Sequence, residues 1–421
     1  MWVGVAGGSN ADTVLLVHGL GNNAHRDWRA AVPMLARRFR VIALDLPGFG
    51  ASQSLSGGYS FPGLASALLE VLELHQAQRV HVVGHSLGGA LSLYFAHAYP
   101  ERVDRLVLVD AAGILHKAMF VRHITALVEL PKIGFAPLDR LASALDRRIN
   151  DLSRMVFRRI DNGFDFSAWL VENPAVRNAL LGRYTQVDAA MGLVEHNFAP
   201  AIRAVTAPTT VIWGRDDPIA PVRTGELLAA RMQDARLHVF DGVAHVPMSE
   251  SAERFNSVLE MALMQPPAPK FNGAPTAGSH DNVDCANRTG AVFTGTFATL
   301  RLENCLDARI EFARVGRLEM EGSSAMLKFV SIESSGAALI AKRSRVMATA
   351  SVVRGSPAVD ADETELDFAG VAVRADERGF DLRGGSRVYF SVSDVVAPEY
   401  SGDAHFMVSE ASPFPASSAP P

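Results

Sequence analysis

Apolar residues run almost unbroken through four short stretches of the first 111 positions: TVLLVHG (13–19), RVIALDL (40–46), RVHVVG (79–84) and RLVLVDA (105–111). Continuous Val, Ile and Leu, rather than strict alternation, predicts strands buried on both faces of a parallel sheet. Between them DWRAAVPMLARRF (27–39) and FPGLASALLEVLELH (61–75) place apolar residues at helical spacing. Alternating strand and helix predicts an α/β domain with right-handed crossovers. From about Gly113 to residue 200 no strand pattern survives. Short amphipathic stretches are broken there by Pro131, Pro137, Gly163 and Pro174. The alternation then resumes with TTVIWG, a helix from about Val222, ARLHVF, and a last helix from about Glu250. A helical segment (113–200) inserted into such a sheet predicts a cap over an active site.

The pattern changes again after residue 264. QPPAPKFNGAPTAGSH reads as a linker (265–281). From 282 to 408 the apolar runs are short and alternating, as in TLRLENC, GRLEMEG, LKFVSI and SRVYFSVS, with no credible helix. They recur about every twenty residues, with Gly, Ser and Asn between them. That period predicts an all-β domain built as a right-handed parallel β-helix, with an antiparallel sandwich as the other reading. Cys285 and Cys305 lie twenty residues apart, so a twenty-residue coil puts them at equivalent places on adjacent strands. A disulfide tolerates that separation; the other reading is two stacked reduced thiols. Acids of this region such as Asp376 and Glu377 read as solvated. The tail 409–421, rich in Pro, Ser and Ala, reads as disordered.

Composition narrows the function. The chain has 421 residues, 48% of them hydrophobic, which is long enough for two or three domains. A net charge of −5 with scattered basic residues argues against nucleic acid as the main partner. No apolar run reaches the 18 residues a membrane span needs. The first residues, MWVGVAGGSNADT, carry neither the basic nor the apolar region of a signal peptide.

The chemistry-bearing motif is VGHSLGGAL (83–91). A Ser flanked as Gly84-His85-Ser86-Leu87-Gly88, between a strand and a helix, fits a nucleophile elbow; an ordinary glycine-rich turn is the plainer reading. Small residues two before and two after let strand and helix pass each other. The turn lifts the Ser86 hydroxyl clear of the sheet.

Together with HGLGNNAHRDW (18–28), DLPGFGAS (45–52), WGRDDPIAP (213–221) and DGVAHVPMSESAERF (241–255), this stretch resembles the α/β-hydrolase fold superfamily in its capped, esterase- and lipase-like branch, over residues 1–264. The resemblance implies a Ser86, Asp217, His245 triad. Asp216 and Asp110 are rivals for the acid, since some members carry it after the earlier strand. It implies an oxyanion hole from the backbone N–H groups of Leu20 and Leu87, with His18 bracing its loop. Ala244 stands where the family usually has Gly. It implies no cofactor and no metal. A Ser nucleophile, rather than Asp, leaves hydrolysis of an ester, a thioester or a carbon–carbon bond beside a ketone. The expected activity is carboxylesterase or lipase-like, on a small-molecule ester with a hydrophobic acyl group. A C–C bond hydrolase of aromatic degradation and a non-catalytic receptor remain as alternatives. The all-β domain is expected to contact a polysaccharide or a surface, or to be a structural appendage. WVGV supplies one strand where the family has a pair, so the chain is expected to start late. A lost leader, together with a disulfide, would place the protein in a periplasm or cell envelope.

Overall fold

The computed structural model describes residues 1–8, 11–21, 24–54, 59–115, 188–190, 192–193, 196–265 and 279–406. The cap predicted for 113–200 lies mostly outside these residues, as do most of the linker and the whole tail. The chain divides into two compact units, Met1–Ala268 and Pro269–Pro421.

The first unit holds a seven-stranded sheet: β1 (Val3–Ala6), β2 (Thr13–Val17), β3 (Arg40–Leu44), β4 (Val80–His85), β5 (Val103–Val109), β6 (Thr209–Gly214) and β7 (Ala235–Phe240). Their order is β1-β3-β2-β4-β5-β6-β7. β1 runs antiparallel to β3 and the other pairings are parallel. All five residues of β2 and all six of β4 are buried, as expected for strands covered on both faces. The helices described in full are α1 (Val32–Leu35), α2 (Phe61–Leu74), α3 (Leu87–Ala98), α4 (Ala199–Ala204), α5 (Arg223–Arg231), α6 (Pro247–Glu250) and α7 (Ala252–Met264). Phe255, Leu259 and Leu263 of α7 form one core with Trp28, Leu35 and the sheet residues Val14, Leu16, Val83, Val107 and Ile212. The helix predicted across 27–39 is cut short. A 3₁₀ turn covers Ala24–Trp28, and α1 spans only four residues around Pro33. A proline fits the first turn of a helix but cannot sit inside a longer one.

The second unit is an all-β domain whose many parallel strands form one curled sheet. It opens with β8 (Ser279–Ala286), β9 (Val292–Glu303) and β10 (Ala308–Glu321). β8 begins inside the segment read as linker. Every pairing between its strands is parallel, which excludes the antiparallel sandwich. Like stacks on like: Leu300, Leu318, Leu339, Val359 and Phe380 follow one another in register and are buried. One corner is built from hydroxyls. Cys305 N–H donates to Ser323 Oγ (3.0 Å), Ser323 N–H to Ser344 Oγ (3.1 Å), Ser344 N–H to Thr364 Oγ1 (3.2 Å) and Thr364 N–H to Ser386 Oγ (2.9 Å). Each buried corner amide is thus satisfied by the next coil, where an unpaired one costs about 1–3 kcal/mol.

The expected register of the cysteines is corrected. A disulfide does join Cys285 and Cys305, with Cα atoms 6.5 Å apart. They are not at equivalent places, however. Cys285 stands beside Leu302, because the first coil returns after seventeen residues rather than twenty. Cys305 follows the corner at Asn304, whose φ is +50°, and the bond spans that corner. Later coils are longer, with Ser324 beside Arg345 and Glu365 beside Arg387.

Candidate active site

Ser86 sits between β4 and α3 with φ +53° and ψ −117°. A non-glycine residue held there costs about 1–3 kcal/mol and persists only where its surroundings impose it. Here Ser86 N–H donates to Val109 O (2.9 Å), and its carbonyl accepts from Ala90 N–H (3.1 Å) and Ala112 N–H (3.3 Å). The flanking glycines are needed for close approach. A Cβ on Gly84 would strike the Gly88 carbonyl, and one on Gly88 the Val17 carbonyl. The elbow therefore fits only if both positions stay bare.

Three loops at the carboxyl ends of β4, β6 and β7 bring the expected triad side chains together. Ser86 Oγ lies 3.0 Å from His245 Nε2, and His245 Nδ1 lies 2.7 Å from Asp217 Oδ2. Asp217 Oδ1 accepts from Ile219 N–H (2.7 Å) and Ala220 N–H (3.0 Å). The Asp217 carboxylate is thus held by three donors. It fixes the His245 tautomer with the proton on Nδ1 and leaves Nε2 to accept from the serine. All three residues are buried. Of the rivals, Asp216 is exposed and outside this chain, its N–H donating to Val243 O (3.0 Å). Asp110 is fully buried at the end of β5 and accepts the Gly214 N–H on Oδ1 (2.9 Å), so it is not the partner of His245.

The loop carrying Leu20 passes directly over the serine. A Cβ on Gly19 would lie 2.9 Å from Ser86 Cβ. His18 holds this loop. Its Nε2 accepts from Leu46 N–H (2.8 Å), so its proton is on Nδ1, which donates to Gly19 O (2.6 Å). Burial pulls its pKa down to about 4, so it stays neutral while it braces. Leu87 is the first residue of α3, where the N–H groups lack partners within the helix.

Two residues with no role assigned from sequence turn out to fasten the histidine loop. His85 Nε2–H donates to the His245 carbonyl (2.7 Å), tying the elbow to that loop. Burial first, and the neighbouring His245 second, hold the His85 pKa well below its ordinary value. Glu250 takes the N–H groups on either side of His245, Ala244 at 2.7 Å and Val246 at 2.9 Å. The only sequence signal for Glu250 is an acid in the first turn of a helix, which occurs at many helix starts. Among the described residues no three His, Cys, Asp or Glu side chains cluster as metal ligands, and no helix is long and apolar enough to cross a membrane.

A mostly parallel sheet with a strained serine between strand and helix, and a Ser–His–Asp chain at its carboxyl edge, defines the α/β-hydrolase class. Comparison with known proteins agrees. The family model described as alpha/beta hydrolase fold matches residues 12–126. The chain is 33% identical over 261 residues to 2-hydroxy-6-oxononadienedioate/2-hydroxy-6-oxononatrienedioate hydrolase of Paraburkholderia xenovorans, covering 60% of this chain and 86% of that one. It is 30% identical over 261 residues to an uncharacterized protein of Mycobacterium tuberculosis, covering 59% of this chain and 74% of that one. Among solved structures, a meta-cleavage product hydrolase from Pseudomonas fluorescens shares 26% identity over 62% of this chain and 93% of its own, with a TM-score of 0.44. The protein belongs to the α/β-hydrolase fold family.

Proposed function

We propose that the protein is a serine hydrolase that cleaves a carboxylic ester through an acyl-enzyme, with Ser86 as nucleophile, His245 as general base and acid, and Asp217 as its orienting carboxylate. The observation that carries this reading is the unbroken chain Ser86 Oγ–His245–Asp217 at 3.0 and 2.7 Å. A serine hydroxyl is a weak nucleophile unless a base takes its proton. His245 Nε2 is placed to do so as Oγ attacks the carbonyl carbon. The developing oxyanion falls to the N–H groups of Leu20 and Leu87, which need no reorganisation to receive it. The imidazolium then protonates the leaving alcohol, and the same base activates water to release the acid. A hydrophobic acyl group and the cap over 113–200 belong to this proposal. So do the reading of the stacked coils as a parallel β-helix and an oxidising compartment for the disulfide.

A second reading has its own support. The relative from Paraburkholderia xenovorans is named as a hydrolase of 2-hydroxy-6-oxononadienedioate, which favours hydrolysis of a carbon–carbon bond beside a ketone. Both readings use Ser86. Turnover of a panel of p-nitrophenyl esters against a 2-hydroxy-6-oxo dienoate decides between them. kcat/KM higher on esters by tenfold or more supports the first, and the reverse order the second. A fluorophosphonate probe that labels the protein but not Ser86→Ala supports either enzyme. Absence of labelling overturns both in favour of a binding protein.

A further inference from the structure

Asp110 is the largest loose end of the site. Its side chain is fully buried, and its backbone is held at φ +43°, a conformation that an L residue adopts only when its surroundings insist. Oδ1 accepts the Gly214 N–H, but Oδ2 has no donor among the described residues. A buried carboxylate oxygen without a donor is costly. The nearest answer lies on the other side of the same peptide. Gly214 O accepts the Asp217 N–H (3.4 Å), so one residue binds both acids, and the negative charge of Asp217 acts on Asp110. Asp217 has capacity to spare. Among the described residues its Oδ2 accepts only from His245, and a carboxylate oxygen takes two donors.

From this arrangement we infer that Asp110 is a protonated carboxylic acid whose Oδ2–H donates to the Asp217 carboxylate, making it the positioning residue of the triad acid. Two adjacent buried carboxyls do not both ionise. The donor count decides which one keeps the proton: three N–H groups face Asp217 and one faces Asp110. The charges around Asp110 act in the same sense. Burial raises its pKa most, then the negative charge of Asp217, with Glu250 adding a smaller push, while the Gly214 N–H opposes them. The pair thus carries one negative charge, held on the member that faces His245. The unpartnered oxygen becomes a donor instead of an orphan.

This inference rests on the triad proposed above, and its test is read without turnover as well as with it. In the full chain at neutral pH, the infrared difference between wild type and Asp110→Asn should show the C=O stretch of a protonated carboxylic acid in the wild type alone. Its absence overturns the assignment whether or not the enzyme turns over. In kinetics, Asp110→Asn keeps an N–H donor for Asp217 and an oxygen for Gly214, whereas Asp110→Leu removes both, so Asp110→Leu should lose at least about tenfold more kcat/KM than Asp110→Asn. In an Asp217→Asn background, where no carboxylate remains to receive the proton, that difference should fall below about threefold. A purely structural Asp110 would keep the same difference in both backgrounds, and that equality overturns the inference. If Asp217→Asn itself is harmless, the triad reading fails, and the infrared band still decides the state of Asp110.

Discussion

At the scale of single residues, the proposed triad was legible through motifs that resemble those of a known family, and these motifs are stretches that also shape backbone. Gly84 and Gly88 permit the turn that exposes Ser86, and TTVIWG and ARLHVF are strands whose ends deliver Asp217 and His245. His85 and Glu250 were not legible in their roles. They act through hydrogen bonds to backbone groups, one of them 160 positions away, and such bonds leave no periodicity. Ser86→Ala should lower kcat/KM by about 10⁴-fold or more with the fold intact, as when one member of a unit is removed. Full activity in the purified variant would sink the assignment. Asp217→Asn should cost about 10³–10⁴-fold, because it offers His245 a donor and so imposes the wrong tautomer. Asp216→Asn should cost less than threefold. A reversal of that order, measured on one ester, would mean that the acid lies elsewhere.

At the scale of elements, the parallel strands were readable from unbroken apolar runs, and helix boundaries only where capping chemistry marks them. Ser60 caps α2, accepting from Gly63 N–H (3.3 Å). The division of 24–35 into a 3₁₀ turn and a single helical turn was hidden, since its apolar spacing fits one helix equally well. The histidine loop is positioned by α6 through Glu250, whose two oxygens grip the amides flanking His245. Replacing Glu250 by Ala should therefore lower kcat by about tenfold to a hundredfold with little change in KM, the signature of a misplaced base rather than of lost binding. A change confined to KM would show that this loop contacts substrate instead. In the second unit the period was readable but its variation was not, because coil length depends on how many residues each corner takes.

At the scale of the whole molecule, buried neutral histidines tie stability to pH. The unfolded chain protonates His18 below about 6.5, whereas the folded protein resists until about 4. Stability is therefore lost as pH falls between those values, by about 3 kcal/mol for this group. His85 acts in the same direction, while Asp110, whose pKa is raised, works against it by favouring the fold as it gains its proton. The melting temperature should fall from pH 7 to pH 4.5. A flat profile would show that these histidines open to solvent before global unfolding. Residues 1–268 alone should remain soluble and turn over small esters, since their sheet and core close within that unit. Loss of activity in a well-folded 1–268 would show that the second unit shapes the site.

The hydroxyl corner of the second unit has an evolutionary consequence. Ser323, Ser344, Thr364 and Ser386 perform one task in successive coils, so each coil meets its neighbours through interchangeable joints. Excising residues 324–344 would set Arg345 where Ser324 now stands and bring Thr364 one coil nearer to Ser323. Such a deletion should leave a shorter domain that still melts cooperatively. The stack can thus lengthen or shrink by duplication and loss of whole coils. The disulfide makes the first coil the exception, since Cys285 and Cys305 join β8 to the corner after β9 and neither is useful without the other. Natural length variants should accordingly differ by whole coils downstream of this bond and keep the bonded pair.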